Sequence, residues 1–500
     1  MAGAYLIGID LGTSGTKTVL FDLDGEIIAS ESVEYPMYQP ENGWAEQDAD
    51  DWANAGFVTI KAVVEKSGVS ASDIAGIGIS GQMHGLVMLD DRGVPLRRSI
   101  IWCDQRTSAE CDEITSRVGR ERLTQITGNP ALTGFTASKI LWVRKNEPEI
   151  YARCRHILLP KDYLRYRLTQ RFATEVSDAS GMQLLDVPQR RWSPEVLGAL
   201  DIDPSLLAEV YESCEITGYV TAQAAEITGL KAGTPVVGGA GDNAAAAVGV
   251  GVVKNGKVFC TIGTSGVVYS HTDRITIDSA GRVHTFCCAV PGAWHVMGVT
   301  QAAGLSLSWF KNNFCERDSY GNLDKLAASV PVGANRLFFL PYLMGERTPH
   351  LDPDCRGAFI GLSAMHTKAD MLRAVMEGVA YSLKDSHDIL REMGIDASAV
   401  YACGGGSRSP VWREMLADLF EAPVRTVSCA EGPALGAAIL AAVGSGLYAD
   451  VPSACEAMVR DDSVTQPAPE RTRDYARLHS LYKKLYPALK DVFRELAGTT

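Results

Sequence analysis

Tyr5-Leu-Ile-Gly-Ile-Asp10-Leu-Gly-Thr-Ser-Gly-Thr-Lys17-Thr-Val-Leu-Phe21 sets two apolar runs on either side of a glycine-rich turn. The same tetrapeptide, Gly-Thr-Ser-Gly, returns in Lys257-Val-Phe-Cys-Thr261-Ile-Gly-Thr-Ser-Gly-Val-Val-Tyr269, again between apolar runs. Each copy reads as strand, tight turn, strand. Glycine permits such a turn, and its successive amides gather several N–H groups at one place, which suits phosphate oxygens. Two such turns in the two halves of a chain predict two lobes gripping one nucleotide phosphate chain.

Outward from the first copy, Asp24-Gly25 predicts a hairpin into a strand over 26–33, followed by a helix near 51–66. Ile74-Ala-Gly-Ile-Gly-Ile79 reads as a strand, Ser80-Gly-Gln-Met-His-Gly85 as a loop and 86–90 as another strand. Around the second copy, strands near 257–262, 266–270, 282–289 and 293–299 repeat that order, a single internal duplication. The boundary is expected just after Val236-Val-Gly-Gly-Ala-Gly-Asp242, giving an N-terminal lobe 1–245 and a C-terminal lobe 246–500 joined by a helix-lined hinge. Apolar spacing predicts a helix over 369–393 with Gly394 as its C-cap. Tyr401-Ala-Cys then leads into Gly404-Gly-Gly-Ser-Arg-Ser-Pro410, and Pro410 suits the first turn of a helix.

The 500 residues allow two to four domains, and 46% hydrophobic with 21% charged residues supports a large buried core. A net charge of −13 without a Lys/Arg stripe argues against nucleic acid as a partner. An anionic ligand must then be held by local N–H groups or a metal. The first residues lack the basic region of a signal peptide, and no apolar run approaches the roughly 20 residues of a membrane span. Twelve cysteines, none spaced Cys-x-x-Cys, read as reduced thiols in a cytoplasmic protein.

Several residues stand out chemically. Asp10 ends the first strand, where a carboxylate reaches a phosphate-bound Mg²⁺ through water or forms a turn with its own backbone. Lys17 is either a phosphate contact or a solvated strand residue. Asp242 precedes Asn243-Ala-Ala-Ala-Ala-Val, as a helix N-cap does, yet an ionised carboxylate there also serves as a base. Gln82-Met83-His84 sits in a glycine-flanked loop beyond a strand, a ligand-binding position in α/β folds. Trp102-Cys-Asp104-Gln-Arg106 combines an aromatic face with two charges, as sugar sites do, or starts an amphipathic helix. Gly345-Glu-Arg347-Thr-Pro349 reads as a structured loop with an internal salt bridge. The Gly404-Gly405-Gly406 run lets a ligand approach the backbone.

Neither a Walker-type Gly-x-x-x-x-Gly-Lys-Ser/Thr motif nor the protein-kinase signatures are present. The paired strand–turn–strand units match instead an α/β fold of two actin/hexokinase-like (ribonuclease H-like) lobes around a central cleft. The turns alone also fit an actin-like chaperone or filament ATPase, which has no need of a sugar site.

The chain resembles the FGGY carbohydrate kinases along nearly its whole length. The resemblance rests on Gly8-Ile-Asp-Leu-Gly-Thr-Ser-Gly-Thr-Lys17, Gly81-Gln-Met-His-Gly85, Trp102-Cys-Asp-Gln-Arg106 and Gly134-Phe-Thr-Ala-Ser-Lys139-Ile-Leu-Trp142, then on Leu159-Pro-Lys-Asp-Tyr-Leu164 and Gly239-Ala-Gly-Asp-Asn-Ala244. Further on, Thr261-Ile-Gly-Thr-Ser-Gly266, Gly357-Ala-Phe-Ile-Gly-Leu362 and Gly404-Gly-Gly-Ser-Arg-Ser409 also fit. It implies a sugar site in the N-terminal lobe, an ATP site in the C-terminal lobe, and Mg²⁺-ATP as phosphate donor. Asp242 would be the general base, with Asp10 near Mg²⁺. Gln82, Met83, His84, Trp102, Asp104 and Asn243 would contact or border the sugar. Gly12, Thr13, Ser14 and Lys17, with Gly263, Thr264 and Ser265, would hold phosphates, and Gly304, Gly405, Gly406 and Ser407 would line the adenosine side. Ser409-Pro410 stands where some members carry Asn, so no Asn contact to adenine is implied. Within the family the Gln-Met-His-Gly loop points to D-xylulose, phosphorylated to its 5-phosphate, over L-ribulose, L-xylulose, glycerol or gluconate. A homodimer is left open.

Overall fold

The strand Tyr5–Leu11 is apolar on both faces because both faces are covered. Ile7, Ile9 and Leu11 share a core with Trp52, Phe57 and Ile60 of the helix Ala49–Ser67, while Leu6 packs among Ala434, Leu435 and Ala438. The computed structural model describes residues 4–498, so the outermost residues of both expected lobes lie outside the described residues.

Tyr5–Leu11 pairs antiparallel with Gly15–Phe21, and that strand with Ile27–Glu34. On its other side it runs parallel to Ile74–Gly81, followed by Pro235–Val237 and Ile216–Tyr219. The second sheet repeats the plan. Lys257–Ile262 pairs antiparallel with Gly266–Thr272, which meets Trp294–Thr300 and then His284–Cys287. Its other side is parallel to Ala399–Cys403 and then Val424–Val427, with Asp461–Thr465 at the edge. In both seven-stranded sheets the two strands flanking Gly-Thr-Ser-Gly join a meander to a parallel half. The two-lobed α/β plan expected from the duplication is present.

Helix ends follow local chemistry. Asp48 caps Ala49–Ser67 by accepting the Asp50 amide, and Gly68 closes it in the left-handed region. Thr367 and Asp370 form a capping box on Lys368–Glu392, and Gly394 adopts φ 79° one residue beyond the C-cap, Met393. Ser409 caps Pro410–Phe420.

The lobes join through two helices of small residues. Asp242–Gly249 packs against Gly432–Gly444, which in turn lies on Tyr5–Leu11 and Ile74–Gly81. A Cβ on Gly8 would sit 1.9 Å from the Ala434 carbonyl oxygen, and one on Gly436 1.9 Å from that of Ala245. Only glycine allows these backbones so close. The chain thus returns to cover the first sheet after building all but the edge strand of the second. All twelve cysteines are unpaired thiols. Among the described residues no helix is long and apolar enough to cross a membrane.

Candidate active site

Asp10 lies opposite Ser80 in the parallel register, and Ser80 lies opposite Ala240 of the short strand Ala240–Gly241. Asp10 and Asp242 therefore lie at strand ends on either side of Ile74–Gly81, at the carboxyl edge of the first sheet, where α/β folds bind ligands. Gly241, not Asp242, is the N-cap of Asp242–Gly249, so the capping role is not the one Asp242 plays. Its Oδ1 accepts from the Asn243 amide (2.7 Å) and Asn243 Nδ2 (2.9 Å). Oδ2 takes no hydrogen bond among the described residues. Burial raises Asp242 to about 6, opposed by the two Asn243 bonds. Burial, and next the charge of Asp242, raises Asp10 to about 7, opposed by the Ser80 hydroxyl, which donates to Asp10 Oδ1 at 3.1 Å.

A buried charge cluster fixes the backbone that leads into Asp242. Lys161 Nζ lies 2.7 Å from Asp162 and 3.4 Å from both Glu175 and Asp178, with all four side chains out of solvent. Arg165 Nη1 donates to the Gly238 carbonyl at 3.0 Å. Glu175 accepts from the Ser177 hydroxyl, and that oxygen accepts the Gly241 amide at 3.1 Å. Burial opposes the charge of Lys161, but the three carboxylates outweigh it and hold its pKa up. Burial drives Asp178 well above the carboxylate range despite Lys161. Sequence reading assigned no role to these residues. The available signal was the Lys161-Asp162 pair set between Leu159-Pro160 and Tyr163-Leu164.

The Gln82-Met83-His84 loop reaches the same edge. Met83 is buried against Gly241, where a Cβ would come within 2.8 Å of it. His84 takes a left-handed φ of 70° and donates from Nδ1 to the Gly181 carbonyl (2.9 Å). Burial and then Lys139 hold its pKa well below the usual range, so the ring is neutral and Nε2 is an open acceptor. Gln82 donates to Gln47 Oε1 at 2.8 Å. Trp102 Nε1 donates to Thr13 Oγ1 at 2.9 Å, tying the aromatic cluster to the first glycine turn. Asp104 is placed otherwise than expected. Its carboxylate is fully buried and filled by the Ala45 amide (2.6 Å) and the Arg106 fork, so it braces the Trp102 loop. No helix begins there until Ser108–Val118.

Both turns close as read, Gly12 donating to the Gly15 carbonyl (3.0 Å) and Gly263 to that of Ser265 (2.9 Å). Among the described residues the amides of Thr13, Ser14, Thr264 and Ser265 have no acceptor, leaving four N–H donors for an anion. Lys17 is not free for that purpose, since its ammonium is 2.5 Å from Glu431, beside the hinge helix. Gly304 donates to the Gly263 carbonyl at 2.7 Å, joining the helix Gly304–Phe314 to the second turn. A cavity of about 550 Å³ runs from Asp242 and Asn243 to Gly404, Gly405 and Ser407. A second, about 670 Å³, lies between Gly263-Thr264, Gly304, Tyr320, Trp412 and Gly405-Gly406. Ser407 donates to the Gly404 carbonyl (2.7 Å), and Ser409 to Asp324 (2.6 Å).

Asp10 and Asp242 supply the hard oxygen donors that Mg²⁺ prefers. Among the described residues no three His, Cys, Asp or Glu groups form a cage of their own. Such oxygen donors would suit a metal ion that takes its remaining ligands from phosphates and water, and its charge would favour the ionised carboxylates.

Duplicated sheets, a turn with free amides on each and two carboxylates near their junction suit a two-lobed enzyme that handles an anionic ligand. Residues 5–249 match the N-terminal domain, and residues 258–445 the C-terminal domain, of the FGGY family of carbohydrate kinases. The chain belongs to that family. It is 40% identical to a xylulose kinase of Bacillus subtilis over 98% of both chains. A gluconokinase of Bacillus licheniformis is more distant, at 32% identity over 99% of this chain and 98% of its own. The structure of a ligand-bound xylulose kinase from Lactobacillus acidophilus superposes with a TM-score of 0.94 and 28% identity, covering 99% of this chain and 100% of that one.

Proposed function

We propose that this carbohydrate kinase transfers the terminal phosphoryl group of ATP to D-xylulose, giving D-xylulose 5-phosphate and ADP. The observation that carries the reading is the position of Asp242. It faces the cavity leading to Gly405, while Met83 of the sugar loop packs on the adjacent Gly241. The family supports ATP as donor, and the full-length similarity to xylulose kinases supports the acceptor.

In this mechanism Met83, His84, Trp102 and Asn243 hold the ketose, with His84 Nε2 accepting from a hydroxyl. Asp242 Oδ2 takes the proton of the terminal hydroxyl while its oxygen bonds to phosphorus and the bond to the bridging oxygen of ADP breaks. The proton then leaves Oδ2 for solvent. Asp10 would hold Mg²⁺, which when bound would supply charge neutralisation on the phosphates. The amides of Thr13, Ser14, Thr264 and Ser265 position the phosphate chain, and Gly304, Gly405 and Gly406 line the nucleoside side. Closure of the lobes excludes water, favouring the sugar hydroxyl over hydrolysis. The unpaired thiols favour a reducing cytosol as the site of action.

ADP release measured across D-xylulose, L-ribulose, L-xylulose, glycerol and gluconate tests this reading. D-xylulose should give the highest kcat/KM, and Asp242→Asn should lower kcat by about 10² to 10⁴ while the fold persists. Near-normal turnover by Asp242→Asn removes Asp242 as the base, and a preference for another acceptor removes D-xylulose.

A further inference from the structure

Gly345-Glu346-Arg347-Thr348-Pro349 carries two charges that the mechanism leaves without a task. The internal salt bridge expected there does not form. Glu346 instead accepts the Arg347 amide (2.8 Å), the Gln301 amide (2.9 Å) and the Thr300 hydroxyl (2.5 Å). Thr348 donates its amide to the Val299 carbonyl (3.0 Å), and its Oγ1 accepts the Val299 amide (3.1 Å). Both neighbours of Arg347 are thereby locked to the end of the strand Trp294–Thr300.

Among the described residues the Arg347 guanidinium makes no hydrogen bond or ion pair, although the residue is half-buried. Its five N–H donors reach solvent and are spoken for by no protein group among the described residues, so a ligand can take them up in place of water. The guanidinium reaches across to the first lobe, where a Cβ on Gly134 would lie 3.6 Å from Nη2 and 3.0 Å from the Trp102 carbonyl oxygen. Gly134 belongs to the segment that clamps the sugar loop, because Lys139 Nζ donates to the Gly134 and His84 carbonyls, each at 2.8 Å. The charge of Arg347 also contributes to keeping His84 and His284 neutral, after burial. Met83 lies 2.8 Å from where a Cβ on Gly241, beside Asp242, would sit, and Arg347 Nη2 lies 3.6 Å from where one on Gly134 would, so the two charged groups belong to different surroundings.

We propose that Arg347 is a specificity-determining residue whose guanidinium, held out from the second lobe, donates hydrogen bonds to acceptor oxygens remote from the hydroxyl that Asp242 deprotonates. This rests on D-xylulose as the acceptor, whose ketone oxygen only accepts hydrogen bonds and so complements a group that only donates them. Arg347 thereby favours a ketose over the corresponding polyol.

Steady-state kinetics of wild type, Arg347→Lys and Arg347→Met decide the matter. Arg347→Met should raise KM for D-xylulose about 10- to 100-fold with a smaller change in kcat, as expected for losing a charged hydrogen bond. Arg347→Lys should fall between. KM for ATP and sugar-independent ATP hydrolysis should stay at wild-type values, which also reports that both variants are folded. The inhibition constant of xylitol, which lacks the carbonyl, should rise less than KM for D-xylulose. A D-xylulose KM within about twofold of wild type in both variants overturns the proposal, as does an equal rise in KM for ATP. If wild type prefers another acceptor, that result falls on the substrate assignment alone, and the same variants measured with that acceptor decide the role of Arg347.

Discussion

At Asp242 the sequence left two compatible roles open, helix cap and base, and backbone geometry removes the first. Gly241 occupies the cap, so Oδ2 keeps its lone pairs for a proton. Because burial lifts Asp242 to about 6, kcat/KM should fall as pH drops through that value, and a pH–rate profile flat down to pH 5 contradicts the assignment. The shift at Asp10 carries a stability cost at the other end of the pH range. Asp10, raised to about 7, binds more protons folded than unfolded between its ordinary value of 3.8 and 7, so its ionisation weakens the fold as pH rises through that window. Asp10→Asn should therefore melt at a higher temperature than wild type at pH 8, with the gain largely gone at pH 4. An equal difference at both pH values contradicts that account. Lys17 and Asp104 show what residue-level reading missed. Lys17 is paired with Glu431, 414 positions away, and Asp104 is filled by Ala45 and Arg106. Residue type marked both as polar groups near a site, but only folding supplied the partners.

At the scale of elements, period and turn chemistry were strongly legible. The strands beside Gly-Thr-Ser-Gly, the Asp24-Gly25 turn, the helix Ala49–Ser67 and the strand–glycine–helix unit ending in Pro410–Phe420 stand close to where the sequence placed them. The reason is that each is decided within a few residues. The packing of Gly432–Gly444 was not legible, since its alanines and glycines suit several surfaces. Their reason is the close approach to Asp242–Gly249 and the first sheet. Gly436→Val would force a side chain into the Ala245 carbonyl and should destabilise the protein by about 1–3 kcal/mol or more, read as a lowered melting temperature. An unchanged melting temperature refutes the close contact.

For the whole molecule, the returning helix makes the first lobe dependent on the end of the chain. Leu6, Val19 and Phe21 share a core with Leu435, Ile439, Val451 and Met458. A fragment of residues 1–245 should accordingly fail to fold, binding a hydrophobic dye and lacking a cooperative melt. A cooperative transition in the fragment would show that the first sheet needs no such cover. The duplicated Gly-Thr-Ser-Gly by itself determined two similar sheets and two turns with free amides, because turn backbone and strand periodicity are local properties. Tertiary structure alone decided which carboxylate oxygen is free, that Lys161 and Ser177 brace Asp242, and that Arg347 arrives unpaired beside Gly134. Those outcomes depend on burial and on partners far apart in the chain, and neither exists until the two lobes have packed.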